Sequence, residues 1–362
     1  MISLPFSPSG HPPVVVAIPA RNEAAWLPGT LAALTAQTGV PAFGVLVLAN
    51  NCTDRTAEVA RAFQARLNLR VVTCDLSGRE AGVVGARRAA LDLAASWAGP
   101  DGVVVSTDAD TCAAPDWLAH LLAPLRAGAD AAAGRILLAT AERRALTPAA
   151  RRTHLYDLAY RLAASRVEAR LDPLAHDPWP RHAQHYGASL ALSVRAYRQV
   201  GGVPDVTSLE DVALVQALQR ADLTLRHTPR ARVHTSARRC GRVSVGLSTQ
   251  LDEWDSGLMW TVPGGAEVAA LARAQAALRR AYAAGPGGPA GAGGPAGATR
   301  ALAELWLASV PALTAALRSP TLGLALERAH AARRTAGLWA VTYRPVAVER
   351  ALADLRGAFE DV

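Results

Sequence analysis

The 362-residue sequence contains no lysine; all 38 of its basic residues are arginine. With its heavy use of Ala, Gly and Pro, this reads as a compositional bias as much as a design for binding anions. The formal charge of +8 still implies a positive surface potential that attracts anionic ligands such as phosphates. Aromatic residues are scarce, at 5%, and the arginines are scattered among them rather than clustered, which argues against a nucleic-acid partner. The four cysteines form no CxxC pair, so neither a zinc site nor a disulfide framework is expected, and reduced thiols fit best. The N-terminal MISLPFSPSGHPP lacks the basic and apolar regions of a signal peptide. Long apolar runs are missing too. The most apolar late stretch, ALAELWLASVPALTAAL (301–317), is interrupted by Glu304 and Pro311 and falls short of a spanning helix. A cytoplasmic protein is expected, with peripheral contact at the inner face of a membrane left open through Trp306, Leu307 and Trp339.

What is present is a packed globular composition, half apolar with 19% charged residues. The first part alternates strand-like and helical patterns. VVVAIPA (14–20), FGVLVLA (43–49), LRVVTC (69–74) and GVVVSTD (102–108) read as strands. Helical spacing spans 23–37, 57–67 and 82–97 between them. This βαβαβαβ order predicts an α/β fold with a mostly parallel sheet flanked by helices, whose ligands sit at the carboxyl ends of the strands. Further helices are expected over 148–171, 209–220 and 252–282. The Gly/Pro/Ala-only segment 283–299 reads as a linker, and helices over 299–318, 321–336 and 346–359 would form a C-terminal appendage. In domain terms, a tail (1–12) precedes a main domain (13–250, with halves 13–130 and 131–250). A helical extension (251–282), the linker (283–299) and a helical segment (300–362) follow.

Three strand ends are polar: PARNE (19–23), NNCTD (50–54) and TDADT (107–111). Asp108 and Asp110 point to one side of an extended chain. Two carboxylates so placed repel each other and gain from a shared divalent cation. Mg2+ or Mn2+ takes one or two carboxylates and completes its shell with water and phosphate oxygens. A lone DxD is more often a solvated loop, but here it ends an apolar strand in step with two other polar tips. A calcium loop of the EF-hand type is excluded, because its glycine and glutamate positions hold Ala113 and Ala119. Thr53 or Asp54 reads as the N-cap of the next helix. Glu23 could serve the first turn of its own helix, and Glu210 and Asp211 in SLEDVAL could do the same for theirs.

PARNE, NNCTDRTA, VGARRAAL, STDADTCAAPDWL, GASLALSVRAYRQVGG and SLEDVAL occur in the order found in family 2 glycosyltransferases of GT-A fold, which residues 13–250 resemble. The resemblance implies a Rossmann-like GT-A sheet and Mn2+ or Mg2+ held by Asp108 and Asp110, with His234 as a further candidate ligand. It also implies a nucleotide pocket drawn from Pro19, Ala20, Arg21, Glu23, Asn50, Asn51 and Asp108, with Arg87 near the diphosphate. The family usually shows Asp-Asp where this chain has Asn50 and Asn51, which leaves the nucleobase open. An acid of the ED pair would deprotonate the acceptor hydroxyl, with Asp211 favoured and Glu210 beside it, and the anomeric carbon would be inverted. Gly187 and Ala188 fall in the segment that lines the acceptor side. Arg238, Arg239 and Arg242, in HTSARRCGR, are candidates for diphosphate or acceptor contacts, although a solvated basic face explains them equally. The QxxRW pattern of processive synthases is absent, so a single transfer is expected. The donor would be a UDP-, GDP- or dTDP-sugar, and the acceptor a small molecule, lipid or glycan. Two other readings stand beside this one. A nucleotidyltransferase would share the sheet but usually carries a Gly-rich phosphate loop, which PARNEAAW is not. A non-catalytic nucleotide-binding module would explain the Asn-Asn departure.

Overall fold

The computed structural model describes residues 12–239, 246–285 and 294–360. In chain order the elements are β1 (Val14–Ala20), α1 (Leu27–Thr35), β2 (Gly44–Asn50), α2 (Thr56–Arg61), β3 (Asn68–Cys74), α3 (Val83–Ala98), β4 (Val103–Ser106), β5 (Thr111–Ala113), α4 (Trp117–Arg126) and β6 (Ala131–Leu138). Next come α5 (Thr140–Ala145), α6 (Pro148–Leu171), β7 (Leu190–Ser193), α7 (Val194–Gln199), α8 (Glu210–Arg220), β8 (Leu225–Thr235) and α9 (Leu247–Asp255). The last are β9 (Thr261–Val262), α10 (Gly265–Ala284), α11 (Gly294–Trp306), α12 (Val310–Leu317), α13 (Leu322–Ala336), α14 (Leu338–Thr342), β10 (Val346–Ala347) and α15 (Val348–Glu360).

The chain forms two compact units. One comprises residues 1–147, 184–218 and 223–253; the other comprises 148–183, 219–222 and 254–362. The first is built on an eight-stranded sheet of order β3-β2-β1-β4-β7-β6-β8-β5. β3, β2, β1 and β4 run parallel, β7 is antiparallel to both its neighbours, β6 and β8 are parallel, and β5 closes the edge antiparallel to β8. The predicted α/β sheet is thus present. Its central strands β1, β2 and β4 read as nearly unbroken apolar runs because both faces are covered. Val15, Ala17, Leu46, Leu48 and Val104 pack on α3 and α8 through Leu91, Ala94, Trp97, Leu214 and Leu218. The alternate residues Val14, Val16, Ile18, Val45, Val47 and Val105 pack on α1 and α4 through Leu27, Leu31, Leu34, Trp117 and Leu121. Period-2 alternation therefore builds two cores from one set of strands.

In the second unit, Tyr160 and Val167 of α6 pack with Val268, Val348, Leu352 and Leu355. Leu278, Leu302, Trp306, Leu313 and Ala329 form its other cluster. Trp306 is fully buried there and Trp339 is 6% exposed, so the membrane contact expected of these two tryptophans does not fit; their rings are core. Among the described residues no single helix is long and apolar enough to cross a membrane. The stretch 301–317 is two helices bent by 110°, because Ser309 caps a new helix that carries Pro311 in its first turn. Other boundaries shift for local reasons. The helix expected from residue 23 begins at Leu27, since the carbonyl of Glu23 closes a turn with the N–H groups of Trp26 and Leu27. Pro263 and Gly264 break the helix expected over 252–282, separating α9 from α10. Of the expected linker, residues 286–293 lie outside the described residues, and α11 already begins at Gly294.

Candidate active site

The carboxyl ends of β1, β2 and β4 meet in the first unit, and their turns set which side chains face outward. Asn22 and Asn51 follow β1 and β2 with φ of 53° and 49°. Asn tolerates this left-handed conformation better than most residues. The Asn22 carboxamide oxygen accepts the Thr53 N–H at 2.8 Å, tying the two turns together. Asp54, rather than Thr53, serves the start of α2: it accepts the N–H of Thr56 at 3.0 Å and that of Ala24 at 3.0 Å. Asn50 is buried and faces the cavity described below. Asn51 does not. Its amide donates to the Leu76 carbonyl at 3.0 Å, and its oxygen accepts the Leu76 N–H at 3.2 Å and the Asn50 side-chain amide at 3.2 Å. Asn51, expected in the nucleotide pocket, therefore does not line that cavity.

β4 stops at Ser106, and the DxD is a turn rather than an extended strand, with the Thr111 N–H donating to the Asp108 carbonyl at 3.2 Å. The same-side argument from an extended chain therefore does not apply. The two acids are instead held by different arginines. Arg87, on α3, donates to Asp108 at 2.8 Å, to Glu210 at 2.8 Å, to the Ser106 hydroxyl at 2.8 Å and to the Gly187 carbonyl at 3.3 Å. Arg238, just beyond β8, forms a bidentate pair with Glu23 at 2.9 and 2.7 Å and approaches Asp110 at 3.1 Å. The Ser236 hydroxyl donates to Asp110 at 2.7 Å. Burial opposes the charge on Arg87, but Asp108, Glu210 and Asp211 outweigh it and its pKa is raised.

The ED pair opens α8 after Leu209, a non-glycine residue at φ 56°. Glu210 is 5% exposed and is the buried counterion of Arg87. It stands beside Asp211 as expected from the sequence, but its carboxylate points to Arg87 and does not line the cavity described below. Asp211 accepts the Gly187 N–H at 2.7 Å and the Val212 N–H at 2.8 Å. Burial raises its pKa, and nearby Glu210 adds to this, against the lowering effects of Arg87 and the two N–H groups. Gly187 is needed here: a Cβ would lie 2.5 Å from the Arg87 guanidinium carbon. Ala188 is buried, and its carbonyl accepts the Thr107 hydroxyl at 2.9 Å. Both residues therefore buttress the site through their backbones.

A cavity of about 270 Å³ opens over these strand ends. Pro19, Ala20, Arg21, Glu23, Asn50, Arg87, Asp108, Asp110 and Arg238 line it, as expected. Asn51, Glu210, Asp211, Gly187, Ala188, His234 and Arg239 do not. His234 misses because it alternates with Thr235 along β8: Thr235 bonds Thr111 and lines the cavity, whereas His234 sits in register with Cys112. Burial and the charges of Arg232 and Arg143 lower its pKa, so it stands among cations rather than beside the carboxylates. Arg239 pairs with Asp252 at 2.8 Å, and Arg242 lies outside the described residues. Sequence reasoning missed Ser106, Ser236 and Ser248. Ser236 had a signal, standing two residues before Arg238 at the end of a strand.

Burial, then the neighbouring Asp108, raises the pKa of Asp110, the expected penalty for two carboxylates on one turn. The donor set suits a small divalent cation. Asp108 Oδ2 and Asp110 Oδ1 have no hydrogen-bond partner among the described residues, which leaves one oxygen on each acid for a ligand. Two carboxylates completed by water and phosphate are what Mg2+ and Mn2+ accept. No group of three or more His, Cys, Asp or Glu able to hold a metal occurs among the described residues, so any cation here would depend on oxygens from its substrate.

A mostly parallel sheet flanked by helices, with carboxylates and arginines gathered at its strand tips, is what the resemblance to GT-A glycosyltransferases implies. Residues 15–182 match the sequence model of glycosyl transferase family 2. The match ends before Glu210, Asp211 and Arg238. No curated protein matches the chain. Among solved structures, the mannosyltransferase PcManGT from Pyrobaculum calidifontis, in complex with GDP-Man and Mn2+, is 20% identical with a TM-score of 0.44, over 91% of this chain and 76% of that one. S. aureus TarS 1-349 in complex with UDP-GlcNAc is 14% identical with a TM-score of 0.47, over 89% and 92%. A longer S. aureus TarS structure is 16% identical with a TM-score of 0.43, over 62% of this chain; the protein spans only 36% of that chain's length.

Proposed function

We propose that the protein transfers a single sugar from a nucleotide-diphospho-sugar to a hydroxyl acceptor, with inversion at the anomeric carbon and with help from Mn2+ or Mg2+. The observation that carries this reading is the fixed Asp211 carboxylate, joined through the Gly187 loop and the Glu210–Arg87 pair to Asp108. Donor and base are thereby set in one network. The cation, held by the free oxygens of Asp108 and Asp110, would neutralise the diphosphate leaving group. Asn50 and the tip of β1 wall the nucleotide pocket. Asp211 takes the proton of the acceptor hydroxyl as that oxygen bonds the anomeric carbon. The bond from carbon to phosphate oxygen breaks on the opposite face, and its electrons leave with the nucleotide. A carboxylate whose pKa burial has raised is a better proton acceptor than an exposed one.

The test titrates UDP, GDP and dTDP into the protein with and without Mn2+, then assays UDP-GlcNAc, GDP-Man and related donors for release of the nucleotide. One nucleotide should bind more tightly with the metal. Asp211→Asn should lower transfer by about 10²–10⁴-fold while leaving nucleotide affinity unchanged. Nucleotide binding indifferent to metal, or an Asp211→Asn variant turning over at the unaltered rate, would overturn the reading.

A further inference from the structure

α6 is 24 residues long, and its inner side packs Tyr160, Ala164 and Val167 into the core of the second unit. Its outer side is unusual. Arg151, Leu155, Leu162, Arg166 and Arg170 recur at spacings of four, seven, four and four residues, which places them on one face, and Arg152 flanks it. All six are exposed, Leu155 at 50% and Leu162 at 43%. The two acids of this helix lie elsewhere: Asp157 is buried against Arg161 at 2.6 Å and the Trp260 indole N–H at 3.0 Å, and Glu168 faces Arg181 at 3.5 Å. The helix itself therefore places arginines and leucines, and none of its own carboxylates, on the outer face.

Water does not favour such a face, and its chemistry selects what would cover it. A second copy across a two-fold axis would set these arginines against their own equivalents. RNA would use the charge but offers nothing to exposed leucines, and the ring beside the face, Tyr156, is half-buried under Arg152. An anionic lipid surface satisfies both features, with phosphates meeting guanidiniums and acyl chains receiving leucines. We propose that the Arg151–Arg170 face of α6 docks this protein on the surface of an anionic bilayer.

The experiment mixes the full chain with phosphatidylcholine vesicles, either alone or containing phosphatidylglycerol, and measures the fraction bound by flotation at low and raised salt. Binding should be at least about tenfold tighter with phosphatidylglycerol and should weaken as salt rises. Arg151→Ala with Arg152→Ala should weaken it by about tenfold or more, at roughly fivefold for each arginine. Leu155→Ser with Leu162→Ser should weaken it even at low salt. Thermal unfolding of each variant verifies that the fold survives, and the unaltered protein alone suffices to decide the lipid and salt dependence. Equal binding to both vesicle types, no binding to either, or binding unchanged by both variants overturns the proposal. So does an oligouridylate complex, or a dimer, that the same substitutions abolish.

Discussion

Two arginines hold the two aspartates of the DxD turn, and they do so in opposite ways. Arg87 is 8% exposed and donates to four different partners in three chain segments, so it cannot leave without stranding Glu210, itself 6% exposed. Arg238 is 29% exposed, holds one buried glutamate and one aspartate, and stands at the end of a strand rather than inside a helix. The first cluster is built like a piece of core in which charge replaces hydrocarbon. The second is built like a binding site, in which a cation rests on acids that a ligand could also use. The same chemical pairing thus supports the fold on one side of the turn and remains exchangeable on the other.

The comparison is broken most directly at Arg87. Arg87→Met should lower stability by about 3–5 kcal/mol in urea unfolding, because Glu210 is left charged and buried. Adding Glu210→Gln should recover part of this loss; a single variant as stable as the unaltered chain would refute the structural role. Acid sharpens the contrast. His185, two residues before Gly187, contacts His227 at 3.4 Å, and burial together with His227 lowers its pKa to about 4. Its contribution is complete above the unfolded value near 6.5 and is lost as pH falls from there to about 4, where the folded form also takes the proton. Stability should drop on the order of 3 kcal/mol across that window, and His185→Gln should flatten the slope measured by pH-dependent unfolding. At Arg238 the effect on stability should be smallest. Arg238→Met removes the bidentate bonds to Glu23 and should cost about 1–3 kcal/mol. Because the variant removes a positive charge beside Asp110, it should also bind Mn2+ severalfold more tightly by calorimetry. Weaker Mn2+ binding would show that Arg238 is not a competitor for these acids.

Much of this was legible before any coordinates. The strands β1 to β4 announce themselves as apolar runs, and polar residues immediately after such runs had to sit on one rim. Pro19, Glu23, Asn50, Asp108 and Asp110 were found on that logic. What failed was orientation at the tips. Asn51 turns away because one left-handed residue redirects its side chain, and His234 misses because register along β8 puts Thr235 inward; neither a turn handedness nor a register is written in composition. The pairing of Arg87 with Glu210 joins residues 123 apart in sequence, and charge on a helix reads the same whether it faces water or a buried acid. Helix α6 was recognised as a helix, but its membership of the second unit depends on α10 and α15, which lie a hundred residues and more downstream.

The Asn50–Asn51 dipeptide carries a lesson about inheritance. Two neighbouring residues of identical chemistry divide their work: Asn50 lines the cavity and donates to the Asn51 oxygen, while Asn51 splices two stretches of main chain. A substitution at Asn50 would reshape the cavity wall and also strip Asn51 of a donor, so the first residue cannot change without the second feeling it.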